Sequence, residues 1–241
     1  MEMENPKENK FAVPAAIIIA GLIIAGAIFY ENKKPSTALE NNPNQNQAAN
    51  IAASPLDNLK PVTDKDHILG NPNAPITIVL FTDLECPFCK RFHATMKQVM
   101  DEYGKAGKVK WVFRELPLIQ LHSRAQNEAV AAECAADLGG NDAFWKYVDR
   151  IFDITPSNNG LDPDELMNTA EYVGLNKTKF ETCLTSGKFD QLIKDESDDG
   201  MNSGAMGTPY GVVLGPNGQK AAIPGALPYD QVKSIIDGML K

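Results

Sequence analysis

The chain has 241 residues, 43% of them hydrophobic and 22% charged, and this ordinary globular composition excludes a collagen-like, wholly disordered or multi-span membrane protein. The 23 Lys and Arg residues against 31 Asp and Glu residues give a net charge of −8, and since the sequence has no basic patch we expect no nucleic-acid partner. The 4 cysteines are too few for a disulfide scaffold, so their spacing becomes informative.

The first predicted element is an apolar segment, residues 11–30, which follows a polar tail, residues 1–10. It carries no charge and, as a helix with a rise of 1.5 Å per residue, would span about 30 Å, the thickness of a bilayer's hydrocarbon layer. We expect one N-terminal transmembrane helix. A cleaved signal peptide is the alternative, because Ala25-Gly26-Ala27 has the small-x-small form that signal peptidase cuts. Lysines on both sides leave the orientation open.

Residues 31–60 are predicted to form a flexible linker. The stretch 41–50 consists mainly of Asn and Gln and has no large apolar side chain, so it cannot bury enough surface to offset the entropy lost on ordering. From residue 61 the pattern becomes globular, and we predict one domain over residues 61–241.

The domain is predicted to be α/β. Its first strand, 76–81, is β-branched and almost wholly apolar, as a strand buried on both faces should be. The sequence then predicts a helix from the cysteine pair to 103, a strand at 108–113, helices at 123–138, 142–152, 163–173 and 177–184 with further helix to 195, a hairpin of 210–214 with 221–223, and a helix at 229–240. This order builds one mixed sheet covered by helices, with a helical insertion at about 120–204.

Cys86 and Cys89 form a C-x-x-C pair between the first strand and the helix that follows it. The first cysteine would lie at the helix N-terminus, where unpaired N–H groups and the helix dipole stabilise a thiolate and lower the thiol pKa. Pro87 suits the first helical turn, since the N–H it lacks would have no helical partner. The second cysteine, one turn on, is close enough to form a disulfide, so the pair can cycle between dithiol and disulfide.

The residues alone leave two other uses of this pair open. A zinc site needs four ligands, but the chain has no second close cysteine pair and only 3 His. A purely structural disulfide is the other alternative. A strand followed directly by C-x-x-C and a helix is more typical of a redox pair, and we expect no metal here.

The motifs around the pair resemble those of the DsbA-like thioredoxin-fold proteins, which are thiol-disulfide oxidoreductases of the bacterial envelope. They are the runs 66–75 and 81–89, the run from His122 to Ala135, Phe144-Trp145, and Gly207-Thr208-Pro209. The resemblance covers residues 61–241 and implies a thioredoxin fold with a helical insertion.

The resemblance also implies roles for four site residues. Cys86 would be the exposed sulfur that attacks or is attacked, and Cys89 the buried resolving sulfur. Pro209 would follow a cis peptide bond and face the disulfide. Thr208 would offer backbone hydrogen bonds to an extended substrate peptide.

Two positions depart from the family's pattern. Many thioredoxin-fold enzymes have a buried acid six residues before the first cysteine, where this chain has Leu80. Asp83 and Glu85 are expected nearer the surface, so water or one of these acids would have to handle the proton of the resolving cysteine. The active-site dipeptide Pro87-Phe88 lacks the His of the strongly oxidising Pro-His version, and we expect a milder oxidant.

Cys134 and Cys183 both fall in the insertion. The residues alone allow two buried free thiols or a disulfide. Some family members that this chain resembles have a disulfide joining two helices of the insertion, and the resemblance implies the same bond here. The acidic run at 195–199 is expected to be a solvated loop, and its spacing does not match a calcium-binding EF-hand.

The resemblance implies an oxidase that introduces disulfides into exported proteins, with a membrane reoxidase of the DsbB or vitamin-K-epoxide-reductase type and with no metal or organic cofactor. Cytosolic thiols are kept reduced, so we expect the domain outside the cytoplasm, on a single-pass anchor in the cell membrane. Cleavage of the signal would instead give a secreted protein. A reductase or isomerase, or a non-catalytic binding module, is the functional alternative.

Overall fold

A mixed five-stranded sheet lies at the centre of the computed structural model, which describes residues 54–241. Its strands are β1 (His67–Gly70), β2 (Ile76–Thr82), β3 (Val109–Glu115), β4 (Tyr210–Leu214) and β5 (Lys220–Ile223). Their order is β1-β3-β2-β4-β5, with β2 and β3 parallel and the other neighbours antiparallel. The four predicted strands are confirmed. The sequence does not predict β1, because four residues ending in Gly give too short a pattern.

Helices cover the sheet and form the insertion. They are α1 (Pro87–Val99), α2 (Ala125–Ile154), α3 (Asp164–Tyr172), α4 (Lys177–Leu184), α5 (Asp190–Asn202) and α6 (Tyr229–Met239). A π-helical turn, Met100–Gly104, extends α1. Helix α2 is broken at Gly140, whose φ of 73° is left-handed, so it contains both helices predicted at 123–138 and 142–152.

Strand β2 is buried on both faces, as its sequence predicts. Ile78 and Leu80 belong to the larger core, which includes side chains of α1, α6 and the insertion. Val79 and Phe81 belong to a smaller core on the other face. Helix α5 approaches this second face so closely that a Cβ on Gly200 would lie 2.9 Å from the Phe81 ring. The strand that leads into the cysteine pair is therefore held rigidly from both sides.

The insertion lies between β3 and β4, and a disulfide holds it together. Cys134 of α2 is bonded to Cys183 of α4, with a sequence separation of 49. Of the two alternatives that the residues leave open, the structure has the disulfide. The α/β fold with a helical insertion is thus confirmed.

Two expectations about the surface of the domain are wrong. The linker is predicted to extend to residue 60, but residues 54–60 lie against the domain. The Lys60 N–H, for example, donates a hydrogen bond of 2.8 Å to Asp199 Oδ1. The acidic run 195–199 is helical rather than a loop, because it belongs to α5. Asp199 is buried by its ion pair with Arg114, whose Nη1 lies 2.5 Å from Asp199 Oδ2.

No helix of the part of the chain that the structure describes is long and apolar enough to cross a bilayer. The predicted anchor, residues 11–30, and most of the predicted linker lie outside the described residues. Both stay predictions.

Candidate active site

Cys86 and Cys89 lie where the carboxyl end of β2 meets the first turn of α1. Residues 83–85 turn the chain, and Cys86 caps the helix with an extended backbone, φ −78° and ψ 122°. Pro87 takes the first helical position, as predicted. Both cysteines are free thiols, so the structure holds the dithiol form of the pair.

The Cys86 thiol has a pKa well below that of an ordinary cysteine. A hydrogen bond from the Cys89 thiol is the largest cause that lowers its pKa, from 9.0 to about 6; burial opposes the shift, and Thr208 and the backbone N–H groups of Cys89 and Phe88 add to it. The helix N-terminus contributes as predicted, but the neighbouring thiol contributes more. At pH 7 most of Cys86 is therefore thiolate, the nucleophilic form.

Cys89 has the opposite acidity. Burial raises the pKa of its thiol well above 9.0, and its hydrogen bond to Cys86 and the charge of Cys86 raise it further. Cys89 is 2% exposed and Cys86 only 4%, so the expectation of an exposed Cys86 is wrong for the dithiol form. The Thr208 carbonyl oxygen lies 3.5 Å from Cys86 Sγ. Both residues are buried, and their thiols differ strongly in acidity.

The loop of Thr208 and Pro209 faces Cys86 across the site. Their peptide bond is cis. The structure thus brings Cys86, Cys89, Thr208 and Pro209 together, although the loop follows the pair by more than a hundred residues in sequence.

Large apolar side chains stand around this centre. Phe88, in the dipeptide between the cysteines, is 54% exposed, and Met206, just before the loop, is fully exposed. The Arg91 guanidinium lies 5.2 Å from the centre of the Phe88 ring. A groove of about 220 Å³ runs along Met206, Thr208 and Pro209. Such a surface fits an extended apolar peptide, and the sequence gives no signal that singles out Met206.

Asp83 and Glu85 are fully buried, so the expectation that they lie nearer the surface is wrong. Asp83 is held there by donors on each side: His122 Nδ1 and the Leu118 N–H lie 2.8 Å from its Oδ2, and the Glu85 N–H lies 2.8 Å from its Oδ1. Burial acts to lower the pKa of His122, but the hydrogen bond and charge of Asp83, followed by the charges of Cys86 and Glu85, outweigh burial and raise it. The raised pKa favours the positively charged form of the His122 ring, which lies against the Asp83 carboxyl group.

Glu85 is held by the loop that follows α2. The Asn159 N–H donates to Glu85 Oε2, and the Asn158 N–H donates to the Glu85 carbonyl over 2.8 Å. Ser157, Asn158 and Asn159 have φ values of 65°, 54° and 63°. Three consecutive left-handed residues, none of them Gly, are strained, and such strain persists only where surrounding contacts maintain it.

This arrangement is equipped for thiol-disulfide exchange, with an acidic nucleophile, a buried resolving thiol and a loop that can meet a peptide. Across residues 54–241, no three His, Cys, Asp or Glu side chains are placed to hold a metal ion.

Comparison with known proteins gives the family. A family model described as Thioredoxin matches residues 62–238. DsbA2 of Pseudomonas aeruginosa is 30% identical over 74% of this chain and 96% of its own, with a TM-score of 0.61. This chain belongs to the DsbA-like thioredoxin family. Two further solved structures share the fold. Alpha-DsbA1 of Wolbachia pipientis has a TM-score of 0.65 and 21% identity, and the match covers 77% of this chain and 95% of its own. BdbD of Bacillus subtilis has a TM-score of 0.63 and 23% identity, and the match covers 73% of this chain and 92% of its own.

The curated relatives of this DsbA-like protein are much longer chains. Na(+)/H(+) antiporter NhaA 3 of Salinispora tropica is 33% identical and NhaA 1 of Salinispora arenicola is 32% identical, each over 66% of this chain. The DsbA-like chain spans only 23% of the length of each antiporter. Ion transport therefore does not carry over from their names.

The DsbA-like protein is a thiol-disulfide exchange enzyme, and the resemblance found in its motifs is confirmed. Leu80, at the position of the family's buried acid, packs in the larger core. A different buried acid lies close to Glu85: Glu128 of α2 is 2% exposed. Burial, the hydrogen bond with Glu85 and the charges of Glu85 and Asp83 raise the pKa of Glu128 to about 10, against the opposing charge of Arg124. The sequence does not reveal Glu128, because a Glu in a helix is usually solvent-facing.

Proposed function

We propose that this DsbA-like protein is a dithiol oxidase that introduces disulfides into exported proteins through Cys86 and Cys89. The low pKa of the Cys86 thiol carries the proposal. Only the reduced enzyme has this thiol, so whatever stabilises its thiolate favours the reduced form. A pair whose reduced form is favoured is an oxidant in its disulfide form.

The exchange proceeds in two steps. A substrate thiolate attacks Cys86 Sγ of the disulfide form; a bond forms between the two sulfurs, the Cys86–Cys89 bond breaks, and its electron pair leaves on Cys89. Cys89 then takes up a proton, because the pKa of its thiol is high. A second substrate thiolate attacks the first substrate sulfur, and Cys86 leaves as a thiolate. The substrate loses two electrons and gains a disulfide, and the enzyme ends as the dithiol.

The surroundings of the pair support a polypeptide substrate. Phe88 and Met206 offer apolar surface to an unfolded chain, while the backbone of Thr208 offers hydrogen bonds beside Cys86. The dithiol must then pass its electrons to an acceptor. We propose a membrane reoxidase of the DsbB or vitamin-K-epoxide-reductase type, which the family resemblance implies.

Two assays run side by side test the direction of catalysis. We expect the purified protein to accelerate the oxidative refolding of a reduced, unfolded protein and to reduce insulin only slowly, since the stabilised thiolate makes the dithiol a poor reductant. Cys86→Ser is the control for background chemistry. Rapid insulin reduction with no acceleration of refolding would assign a reductase instead.

We also propose that residues 11–30 anchor the domain on the outer side of the cell membrane, because an oxidase cannot work against reduced cytosolic thiols. A reporter that is active only outside the cytoplasm, fused after Lys241, should be active. A reporter active only in the cytosol would contradict the proposal. Recovery of a shortened chain free of the membrane would show cleavage, and hence the secreted alternative.

A further inference from the structure

Met206 places a thioether at the rim of the groove beside the redox pair. Its side chain is fully exposed, and it lines the groove of about 220 Å³ together with Thr208 and Pro209. Met206 is only two residues before Thr208, whose carbonyl oxygen lies 3.5 Å from Cys86 Sγ. A polypeptide that reaches Cys86 along this groove therefore meets the Met206 side chain.

Exposure sets Met206 apart from most methionines of the described domain. Met96, Met100 and Met239 are buried in the larger core. Met201 of α5 is also exposed, at 55%, but it is not among the residues that line the groove. Oxidation of a thioether requires an oxidant to reach the sulfur, so we expect Met206 to react before the other methionines.

The disulfide form of the enzyme leaves Met206 as the side chain most open to a two-electron oxidant among residues 54–241. The insertion already holds one disulfide, and closure of the redox disulfide removes the two free thiols. The chain's two tryptophans, Trp111 and Trp145, are buried. An oxidase waits for its substrate in the disulfide form, so this is the form that meets an oxidant.

Oxidation would change what the groove can bind. Methionine is a flexible apolar side chain that adapts to varied partners, whereas its sulfoxide is polar and chiral. With Phe88 still apolar, the sulfoxide would place a polar group where an apolar segment of the substrate docks. The chemistry at Cys86 would be unaffected, because the groups that set its acidity are Cys89, the Thr208 loop and the first turn of α1.

We propose that Met206 is an oxidation-sensitive docking residue, whose conversion to the sulfoxide by a peroxide weakens exchange with polypeptides and spares exchange with small thiols. The inference rests on the proposed polypeptide substrate and not on the proposed direction of catalysis.

The modification transfers one oxygen atom to Met206. The thioether sulfur attacks one oxygen of hydrogen peroxide; a sulfur–oxygen bond forms, the oxygen–oxygen bond breaks, and hydroxide leaves. The new oxygen gives its proton to the hydroxide, which becomes water. The thioether loses two electrons and the peroxide gains them. A sulfoxide reductase can return the side chain to methionine, so the change is reversible.

The test compares two substrates before and after oxidation. The disulfide form is treated with hydrogen peroxide, because the Cys86 thiolate of the dithiol form would react first. The peroxide is removed, and peptide mapping by mass spectrometry locates the added oxygen. We expect oxygen on Met206 first, on Met201 more slowly, and none on Met96.

Reduction of the treated enzyme is then followed by acid quench and mass spectrometry. With a reduced, unfolded polypeptide, the rate should fall about threefold to tenfold, as expected when part of the transfer free energy of a methionine side chain is lost. With glutathione, which is too small to need the groove, the rate should stay the same.

Three variants separate an effect at Met206 from general oxidative damage. Met206→Leu keeps an apolar side chain that cannot take up oxygen, so peroxide should not change its rate with the polypeptide. Met206→Gln carries a polar amide in place of the sulfoxide and should have the low polypeptide rate without any peroxide. Met201→Leu is the matched control: it removes an exposed methionine outside the groove and should leave the peroxide sensitivity unchanged.

Four results would overturn the inference and leave the proposed function intact. They are slower oxidation of Met206 than of Met201, a polypeptide rate that complete oxidation of Met206 does not change, an equal loss of rate with glutathione, and peroxide sensitivity that persists in Met206→Leu. Absence of exchange between the untreated enzyme and the polypeptide would instead overturn the proposed polypeptide substrate, and the inference with it.

Discussion

Cys86→Ser should abolish thiol-disulfide exchange, whereas Cys89→Ser should turn the protein into a trap for its partners. Cys86 supplies the thiolate that attacks, so its loss removes the nucleophile. In Cys89→Ser, Cys86 still attacks a disulfide, but no second thiol follows to release the partner. Mixed disulfides on Cys86 should therefore accumulate in cells and be visible on non-reducing gels.

A second substitution at the same position gives this prediction a matched control. The largest cause of the low Cys86 pKa is the hydrogen bond from the Cys89 thiol. A serine hydroxyl can replace that donor and an alanine cannot, so the Cys86 pKa should stay near 6 in Cys89→Ser and rise by about one unit or more in Cys89→Ala. The rate of Cys86 alkylation, measured as a function of pH, gives this pKa in each variant. Equal pKa values in the two variants, or equal trapping by Cys86→Ser and Cys89→Ser, would overturn the assigned roles.

The stability of the reduced protein relative to the oxidised protein should increase as the pH rises from 5 to 9. The folded pKa of Cys86, about 6, lies below its unfolded value of 9.0. A group whose pKa is lower in the folded state than in the unfolded state adds stability. This stability is complete above the pKa of the unfolded state and is lost as the pH falls through the pKa of the folded state. One pKa unit corresponds to 1.36 kcal/mol, so the lowered Cys86 pKa stabilises the folded reduced protein by at most about 4 kcal/mol near pH 9 and by about 1 kcal/mol at pH 7. The oxidised protein has no free Cys86 thiol, so its stability does not gain this pH-dependent contribution.

Other groups limit the pH window of this effect. The raised pKa of Cys89 opposes the gain above about pH 9, because the unfolded thiol ionises there and the folded one does not. The disulfide of a C-x-x-C pair closes a very short ring, so its chain-entropy contribution to the oxidised form is small. Denaturant unfolding of both forms at several pH values measures the difference. An oxidised form that is the more stable one throughout pH 6 to 8 would exclude the oxidase and favour a reductase.

The central strand and the redox pair could be predicted because their signals are local. An unbroken apolar run can only be a doubly buried strand or a buried helix, and its length and β-branched residues favour the strand. A C-x-x-C directly after such a strand has few other uses. The pairing of Cys134 with Cys183 came from family resemblance, since two distant cysteines in separate helices carry no local signal.

The buried acids could not be predicted, because charged residues are almost always exposed and the sequence does not show the partners that bury them. Asp83 accepts hydrogen bonds from His122 and from the Leu118 N–H, both in the stretch after β3. Asp199 is buried by Arg114, which lies far from it in sequence. In both cases the deciding contact is tertiary, and the local pattern of charges indicates a solvated surface.

The left-handed run Ser157–Asn159 makes the insertion difficult to exchange between related proteins. Its N–H groups hold the residue next to the nucleophile, so a transplanted insertion with a loop of another shape would leave Glu85 without its donors. A chimera could keep every helix and the Cys134–Cys183 bond and still displace the turn that presents Cys86. Engineers who want a new recognition surface on this scaffold should therefore vary α3 and α4 and keep residues 155–162 unchanged.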